Sequence, residues 1–362
     1  MSIGSLVSVL LSIALLNPIW DPVPMRAPAV EMSEPQGEYV AVFPLVGRSF
    51  RPIRKYLTTA ERLVLDEIQQ RINTMKIGDP TGDAPVVWHV EKSASYSVTY
   101  RLQIRVLYAL RGMLEGVDGF TSNTRLDIVV ARTQSFIGET LKELNCDPDL
   151  SQFGGQILMG AALCNRRIIV TNLSGYMFLI RKGDLVTPLM ETRPEPLLRN
   201  TSYKLVSRNM SALAHEWMHY FRAAGLGGRV APDEPVWFSE GFAEFWAGIA
   251  KVRAYGGADA LMRYHVVRLR DFYDWARKCP GSLSQYRVER GTTCEYHLGT
   301  LAIEYLVANY GGLEKTAEAF RFNGRITSFA QGFELLFGIS LADFEAEADR
   351  YIETIRKAEL TK

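Results

Sequence analysis

The chain is poor in the features that mark nucleic-acid binders, dithiol redox proteins and membrane-spanning proteins. Its 41 basic and 40 acidic residues nearly cancel, leaving a net charge of +1 and a pI near 7.7. No basic patch or arginine-rich tract argues for nucleic acid, and no acidic tail argues for a solvating role. There are four cysteines, Cys146, Cys164, Cys279 and Cys294, and none lies in a Cys-x-x-Cys pair. That argues against a cysteine zinc site and against thioredoxin-like chemistry. Their order suggests two local bridges, Cys146–Cys164 and Cys279–Cys294. Four cysteines allow three pairings, however, and four reduced, buried thiols fit the sequence as well. There is no internal repeat and no low-complexity tract.

Long apolar runs are also missing. The run from Leu6 to Leu16 is relieved only by Ser8 and Ser12 and is too short for a membrane span, which needs ~20 residues. It fits the apolar core of a secretory signal peptide, with Ala27-Pro28-Ala29 as a small-residue cleavage site. No Lys or Arg precedes the run, and Pro18, Pro22, Pro24 and Pro28 make the stretch before the cut long and stiff. An uncleaved anchor followed by a Pro-rich linker is the alternative for residues 1–29. The expectation is a secreted, periplasmic or outward-facing anchored protein, where disulfides persist; the sequence leaves a cytoplasmic location open. Membrane contact is expected only through that anchor. Three Asn-x-Ser/Thr sequons, at Asn172, Asn200 and Asn209, read as chance.

What is present is 362 residues with 47% apolar content, enough for one large domain or several layers around a shared core. Residues 30–56 are rich in Pro and Gly and read as an irregular lead-in. Thr58 or Thr59 caps a helix that carries Val64, Ile68, Ile72 and Met75 at helical spacing. A short strand surrounds Trp88. Residues 95–106 are ambiguous: they alternate like a strand, yet Leu102, Val106, Leu110 and Leu114 fit a helix that continues over 107–116. Strands are expected at Leu126–Ala131, Gln156–Ala162 and Arg167–Thr171, with a helix at 135–144 between the first two and a long loop over 181–200. A helix is expected over roughly 203–223. Beyond Pro235 nearly everything reads as helix, at about 239–253, 258–278, 294–310, 313–321, 327–336 and 341–358. Residues 30–124 have no assigned role, 125–228 form a sheet region with the 203–223 helix, and 229–362 form a helical region. The class is α+β.

The chemistry concentrates in Ala214-His215-Glu216-Trp217-Met218-His219-Tyr220. On a helix, residues four apart share a face, so His215 and His219 can reach one metal ion. Glu216 projects about 100° round the axis, near enough to hold a water at that metal. Val206, Met210, Leu213, Trp217 and Tyr220 form an apolar stripe. The two histidines lie opposite it, beside Arg208, Ser211 and Ala212. A catalytic zinc needs three protein ligands and one open position. Downstream lies Trp237-Phe238-Ser239-Glu240-Gly241-Phe242-Ala243-Glu244. Glu240 can return to the metal as third ligand, Gly241 leaves room for close helix approach, and Glu244 lies four residues on, on Glu240's face. Glu244 can accept the non-coordinating N–H of a ligand histidine and so fix its tautomer.

His215-Glu216-x-x-His219 followed by Trp-Phe-Ser-Glu240-Gly-Phe-Ala-Glu244 resembles the gluzincin zinc metallopeptidases, among them the aminopeptidase-N-like enzymes and the bacterial collagenases. The likeness covers roughly residues 125–355. It implies a thermolysin-like architecture: a small mixed sheet packed on the metal helix, then a mainly helical part that brings the third ligand. It implies one Zn2+ held by His215, His219 and Glu240, Glu216 as general base and acid, and Glu244 in support. It also implies a Tyr-x-x-Gly element downstream whose Tyr stabilises the oxyanion. Tyr296-His297-Leu298-Gly299 matches it, so Tyr296 takes that role, with His297 as the alternative. A sheet-edge strand above the metal is implied as the pairing site for substrate backbone, and Arg167–Thr171 is the candidate. One departure matters: there is no Gly-x-Met-Glu-Asn element to hold a free substrate amine, and Gly160-Ala161-Ala162 lacks the acid. The expectation is therefore an endopeptidase acting on a peptide or protein. A catalytically silent binding or assembly protein on the same scaffold, and a zinc hydrolase of a non-peptide substrate, are the alternatives.

Overall fold

The computed structural model describes residues 57–75, 86–95, 98–115, 125–147, 160–164, 168–173, 177–182, 185–190, 204–207, 211–225, 233–255, 260–266, 278–288, 293–318 and 328–360. The candidate signal peptide or anchor and the sequons at Asn200 and Asn209 fall outside them. The chain is α+β, mostly helical, with a small mixed sheet and a separate three-stranded antiparallel sheet. Among the described residues no helix is long and apolar enough to cross a membrane.

Helix α1 (Thr59–Thr74) starts with a capping box. Thr58 Oγ1 accepts from the Glu61 N–H at 3.1 Å, and Glu61 Oε2 accepts from the Thr58 N–H at 2.6 Å. Its buried stripe is Val64, Leu65, Ile68 and Ile72. Strand β1 (Val86–Val90) and the single turn α2 (Lys92–Ser95) follow. The ambiguous segment then resolves as α3 (Val98–Glu115), an 18-residue helix. Tyr100, Gln103, Val106, Leu107, Leu110 and Leu114 are buried along it. The helical reading wins because Val106, Leu110 and Leu114 prolong one stripe over the whole segment, whereas a strand would strand half of it in water.

The mixed sheet has the order β1-β2-β4-β3. β2 (Leu126–Ala131) and β4 (Ile168–Asn172) run parallel to β1, while β3 (Gly160–Leu163) runs antiparallel to β4. All six residues of β2 are buried, as expected for a strand covered on both faces. α4 (Gln134–Glu143), capped by Thr133, covers one face together with Cys146. The main core covers the other and runs continuously from Leu57 to Ile355. Of the strand expected at Gln156–Ala162, the described part is β3. The described part of the strand expected at Arg167–Thr171 lies in β4, which is internal to the sheet; among the described residues the edge strands are β1 and β3. Pairing order is set by which strands return to each other's side, and local composition carries no record of it.

Two further expectations change. The loop expected over 181–200 contains strand. β5 (Met177–Lys182) pairs antiparallel with β6 (Leu185–Met190), with only Gly183 and Asp184 between the paired ends, a composition suited to a tight hairpin. Pro188 sits in β6, an edge strand that tolerates its missing N–H. The helix expected over 203–223 starts later. Lys204–Ser207 is β7, paired with β5, and α5 spans Ala212–Gly225. Val206, placed in the helical stripe, pairs with Leu179 instead.

The rest is helical: α6 (Val236–Tyr255), α7 (Ala260–Val266), a 3-10 turn at Leu283–Tyr286, α8 (Cys294–Asn309), α9 (Gly312–Glu318), α10 (Phe329–Phe337) and α11 (Leu341–Leu360). α6 begins three residues before the expected start, directly after Pro235. α5 packs on β3 and β4, on α3 and on α6, and α6 packs on α3 and α8. Both local disulfides are formed. Cys146–Cys164 ties the exit of α4 to the exit of β3, and Cys279–Cys294 ties a preceding segment to the first residue of α8.

Candidate metal centre

Between residues 211 and 222, every residue is buried except Ala212 and Glu216. Leu213, Trp217 and Tyr220 face the core, while Ala214, Met218 and Phe221 fill the flanks, with Trp217 stacked on Phe221. His215 and His219 are each 7% exposed. The open side of α5 is therefore the narrow strip of Ala212 and Glu216, one turn apart. The last turn of α5 is fixed by an ion pair that no sequence pattern announces. Arg222 lies 2.6 Å from Glu234, both side chains 3% exposed, and its guanidinium sits over the rings of Phe238 and Phe329. This pair ties the end of α5 to the entry of α6 and sets how the chain turns back toward the histidines.

α6 then delivers Glu240 and Glu244 on one face. It can do so because α6 and α8 cross with their backbones in contact. A Cβ on Gly241 would lie 2.2 Å from the carbonyl carbon of Gly299, and a Cβ on Gly299 would lie 2.1 Å from the Trp237 carbonyl oxygen. The close approach expected at Gly241 thus has its partner in the Gly of Tyr296-His297-Leu298-Gly299. This crossing also brings Tyr296 to the histidines.

The ligand atoms form a small triangle. His215 Nε2 lies 3.1 Å from His219 Nε2 and 3.2 Å from Glu240 Oε2, and His219 Nε2 lies 3.3 Å from Glu240 Oε2. The three residues meet the geometry of a metal site, with one ligand atom from each within 4.8 Å of the others. A tetrahedral ion with bonds of about 2.0–2.1 Å holds its ligand atoms about 3.3–3.4 Å apart, close to the edges of this triangle. Two imidazole nitrogens and a carboxylate oxygen are also a donor set that zinc accepts. The residues present fit a metal ion.

The fourth group stands behind the triangle. Glu244 Oε2 lies 3.2 Å from His215 Nδ1, the nitrogen that points away from the other ligands. An Nδ1–H donated to Glu244 leaves the lone pair on Nε2. Burial on its own lowers the pKa of His215, but the bonds to Glu240 and Glu244 outweigh it and hold the imidazole at about 10. Burial would raise Glu240; the His219 and His215 rings beside it hold its carboxyl well below the usual carboxylate range. The centre is therefore preorganised for positive charge.

Tyr296 is stacked on His215, with ring centroids 5.6 Å apart and planes 25° apart. Its phenol is hydrogen-bonded to Glu240, and burial together with the charges of Glu240, Glu216 and Glu244 raises its pKa, so it stays protonated. His297, the alternative, is 4% exposed, buried on the next position of α8. The structure thus brings His215, His219, Glu240, Glu244 and Tyr296 together, with Glu216 on the open side of the same helix. It adds Tyr264 of α7, whose hydroxyl lies 3.3 Å from Glu244 Oε1. The one sequence signal for it is a bare position, Gly248, continuing the Glu240–Glu244 face by one more turn. Comparison with known proteins adds no relative: no family model, curated protein or solved structure matches this chain.

Proposed function

We propose that this chain is a gluzincin-type zinc metallopeptidase that cleaves within peptides or proteins. The observation that carries the reading is the triangle of His215 Nε2, His219 Nε2 and Glu240 Oε2, buttressed through His215 Nδ1 by Glu244. A zinc ion held by His215, His219 and Glu240 would supply Lewis acidity to a scissile carbonyl and would bring the pKa of a water at the site to ~7. Glu216, on the open strip of α5, takes a proton from that water and passes it to the leaving amine. The Tyr296 phenol, kept protonated by its surroundings, donates to the developing oxyanion. A metal-bearing helix packed on the sheet, followed by a helical part that returns the third ligand, is the layout a thermolysin-like fold would have. β3 takes the role expected of Arg167–Thr171: it is the edge strand that packs on α5, the other edge being β1, so an extended peptide can pair along it beside the histidines. The two disulfides favour a secreted or outward-facing location.

The test is hydrolysis of a peptide mixture by the zinc-loaded protein, with products identified by mass. Internal cleavages are expected, together with a fall of about 10²–10⁴ in turnover for Glu216→Gln and zinc still bound in that variant. Full turnover in Glu216→Gln would remove the proposed base. Release of single N-terminal residues would replace the endopeptidase reading with an aminopeptidase one.

A further inference from the structure

Glu244 is held from two sides. Its Oε2 faces His215 Nδ1 at 3.2 Å, and its Oε1 accepts from the Tyr264 hydroxyl at 3.3 Å. The same hydroxyl lies 3.5 Å from the Glu244 backbone oxygen. Tyr264 is 7% exposed. Its ring lies against α6 at Gly248, where a Cβ would come within 2.4–2.5 Å of the Tyr264 hydroxyl and ring carbons. Read along α6, the face that looks toward this corner carries Glu240, then Glu244, then nothing. The missing side chain at 248 is the space in which the phenol lies to reach one turn back to Glu244.

The helix that carries Tyr264 is itself pinned. The next residue, His265, places Nε2 2.9 Å from Glu61 Oε1 of α1 and Nδ1 3.0 Å from Glu304 Oε2 of α8. All three side chains are at most 2% exposed. α7 is thus fixed to two other helices at the residue adjoining Tyr264.

We propose that Tyr264 is a positioning residue of the metal centre. The inference rests on the reading of His215, His219 and Glu240 as metal ligands. The phenol occupies Glu244 Oε1, which leaves Oε2 for the His215 Nδ1–H. That arrangement fixes the tautomer and the ring plane of His215, so that its Nε2 lone pair points at the same spot as His219 Nε2 and Glu240 Oε2. Without the hydroxyl, a Glu244 side chain that is 25% exposed turns toward water, and His215 loses its brace. A tyrosine that merely filled space beside α6 would do its work equally well as phenylalanine.

The experiment is an equilibrium competition for zinc against a chromophoric chelator, using the full chain stripped of metal. Tyr264→Phe keeps the ring on Gly248 and removes only the hydroxyl. The expected result is one zinc per chain in the wild type and affinity weaker by ~10-fold or more in Tyr264→Phe, with the melting curve of the metal-free protein little changed. Gly248→Ala, which pushes the ring off its seat, should weaken zinc in the same direction. Adding Tyr264→Phe to it should then bring no further loss. Wild-type affinity in Tyr264→Phe, with the wild type binding one zinc, overturns the role of Tyr264 and leaves the metal centre standing. A wild type that binds no zinc overturns the centre, and Tyr264's role with it.

Discussion

His215 and His265 are both buried, and each stands between two glutamates. His215 is flanked by Glu240 and Glu244, His265 by Glu61 and Glu304. Burial lowers both pKa values, and the carboxylates outweigh it and bring them to about 10 and about 9. Electrostatics alone does not separate the two. Geometry does. At His265 the carboxylates take opposite ring nitrogens, so one imidazolium satisfies both and nothing is left over. At His215 one nitrogen has its own carboxylate, and the other shares a point with a second imidazole nitrogen and a second carboxylate oxygen. The first arrangement is complete with a proton; the second is shaped for an ion. Exposure follows the same division. The glutamates of His265 are sealed, and those of His215 keep 21% and 25% of their side chains open.

The largest expected difference between the two regions is in stability. His265→Ala removes the imidazolium that the buried carboxylates of Glu61 and Glu304 share, and should cost ~3–5 kcal/mol in urea unfolding. His215→Ala, measured in the metal-free protein, should cost clearly less, because Glu240 and Glu244 can take up water. Equal losses would break the distinction between clamp and metal centre.

A tyrosine also stands near the glutamates of each histidine, Tyr296 at Glu240 and Tyr351 at Glu304 and Glu61, and the two should behave oppositely. Tyr296→Phe removes the donor proposed for the oxyanion and should lower kcat by about 10²–10³, with KM little changed. Tyr351, 5% exposed, is kept neutral by burial and by Glu304 and Glu61 beside it. Tyr351→Phe should leave turnover unchanged. Steady-state kinetics on one peptide substrate checks both.

The smallest effect is in the pH profile of stability. The folded-state pKa of His265, about 9, lies above an unfolded value of about 6.5. Its contribution is therefore fully present below pH ~6.5 and is lost as pH rises through about 9. Tyr351 stays neutral across that window. In the metal-free protein, wild type should lose stability relative to His265→Gln between pH 6.5 and 9. A constant difference would mean that His265 is not charged in the fold.

The candidate metal centre was legible in sequence because its members lie on two helices at helical spacing: His215 and His219 on one, Glu240 and Glu244 on the other. The clamp was not. His265 and Glu61 are 204 residues apart, and neither stands in a pattern that names the other. The start of α5 was misread for a local reason. Val206 and Met210 are four residues apart, and four is a multiple of the strand period as well as one helical turn, so the stripe could not tell β7 from helix. The strand at Arg167–Thr171 was taken for an edge and is internal, because sheet order is a long-range property. Gly299 and Gly248 carried information only once their neighbours were known. One is bare for Gly241, the other for the ring of Tyr264.

On the function proposed above, His215 belongs to an ion site and His265 to a clamp closed by a proton. Zinc bound per chain, measured by equilibrium dialysis and elemental analysis on wild type, His215→Ala and His265→Gln, tests it most directly. One zinc is expected in the wild type, one in His265→Gln while it remains folded, and none in His215→Ala. Zinc retained at full stoichiometry in His215→Ala, or absent from the wild type, would contradict it.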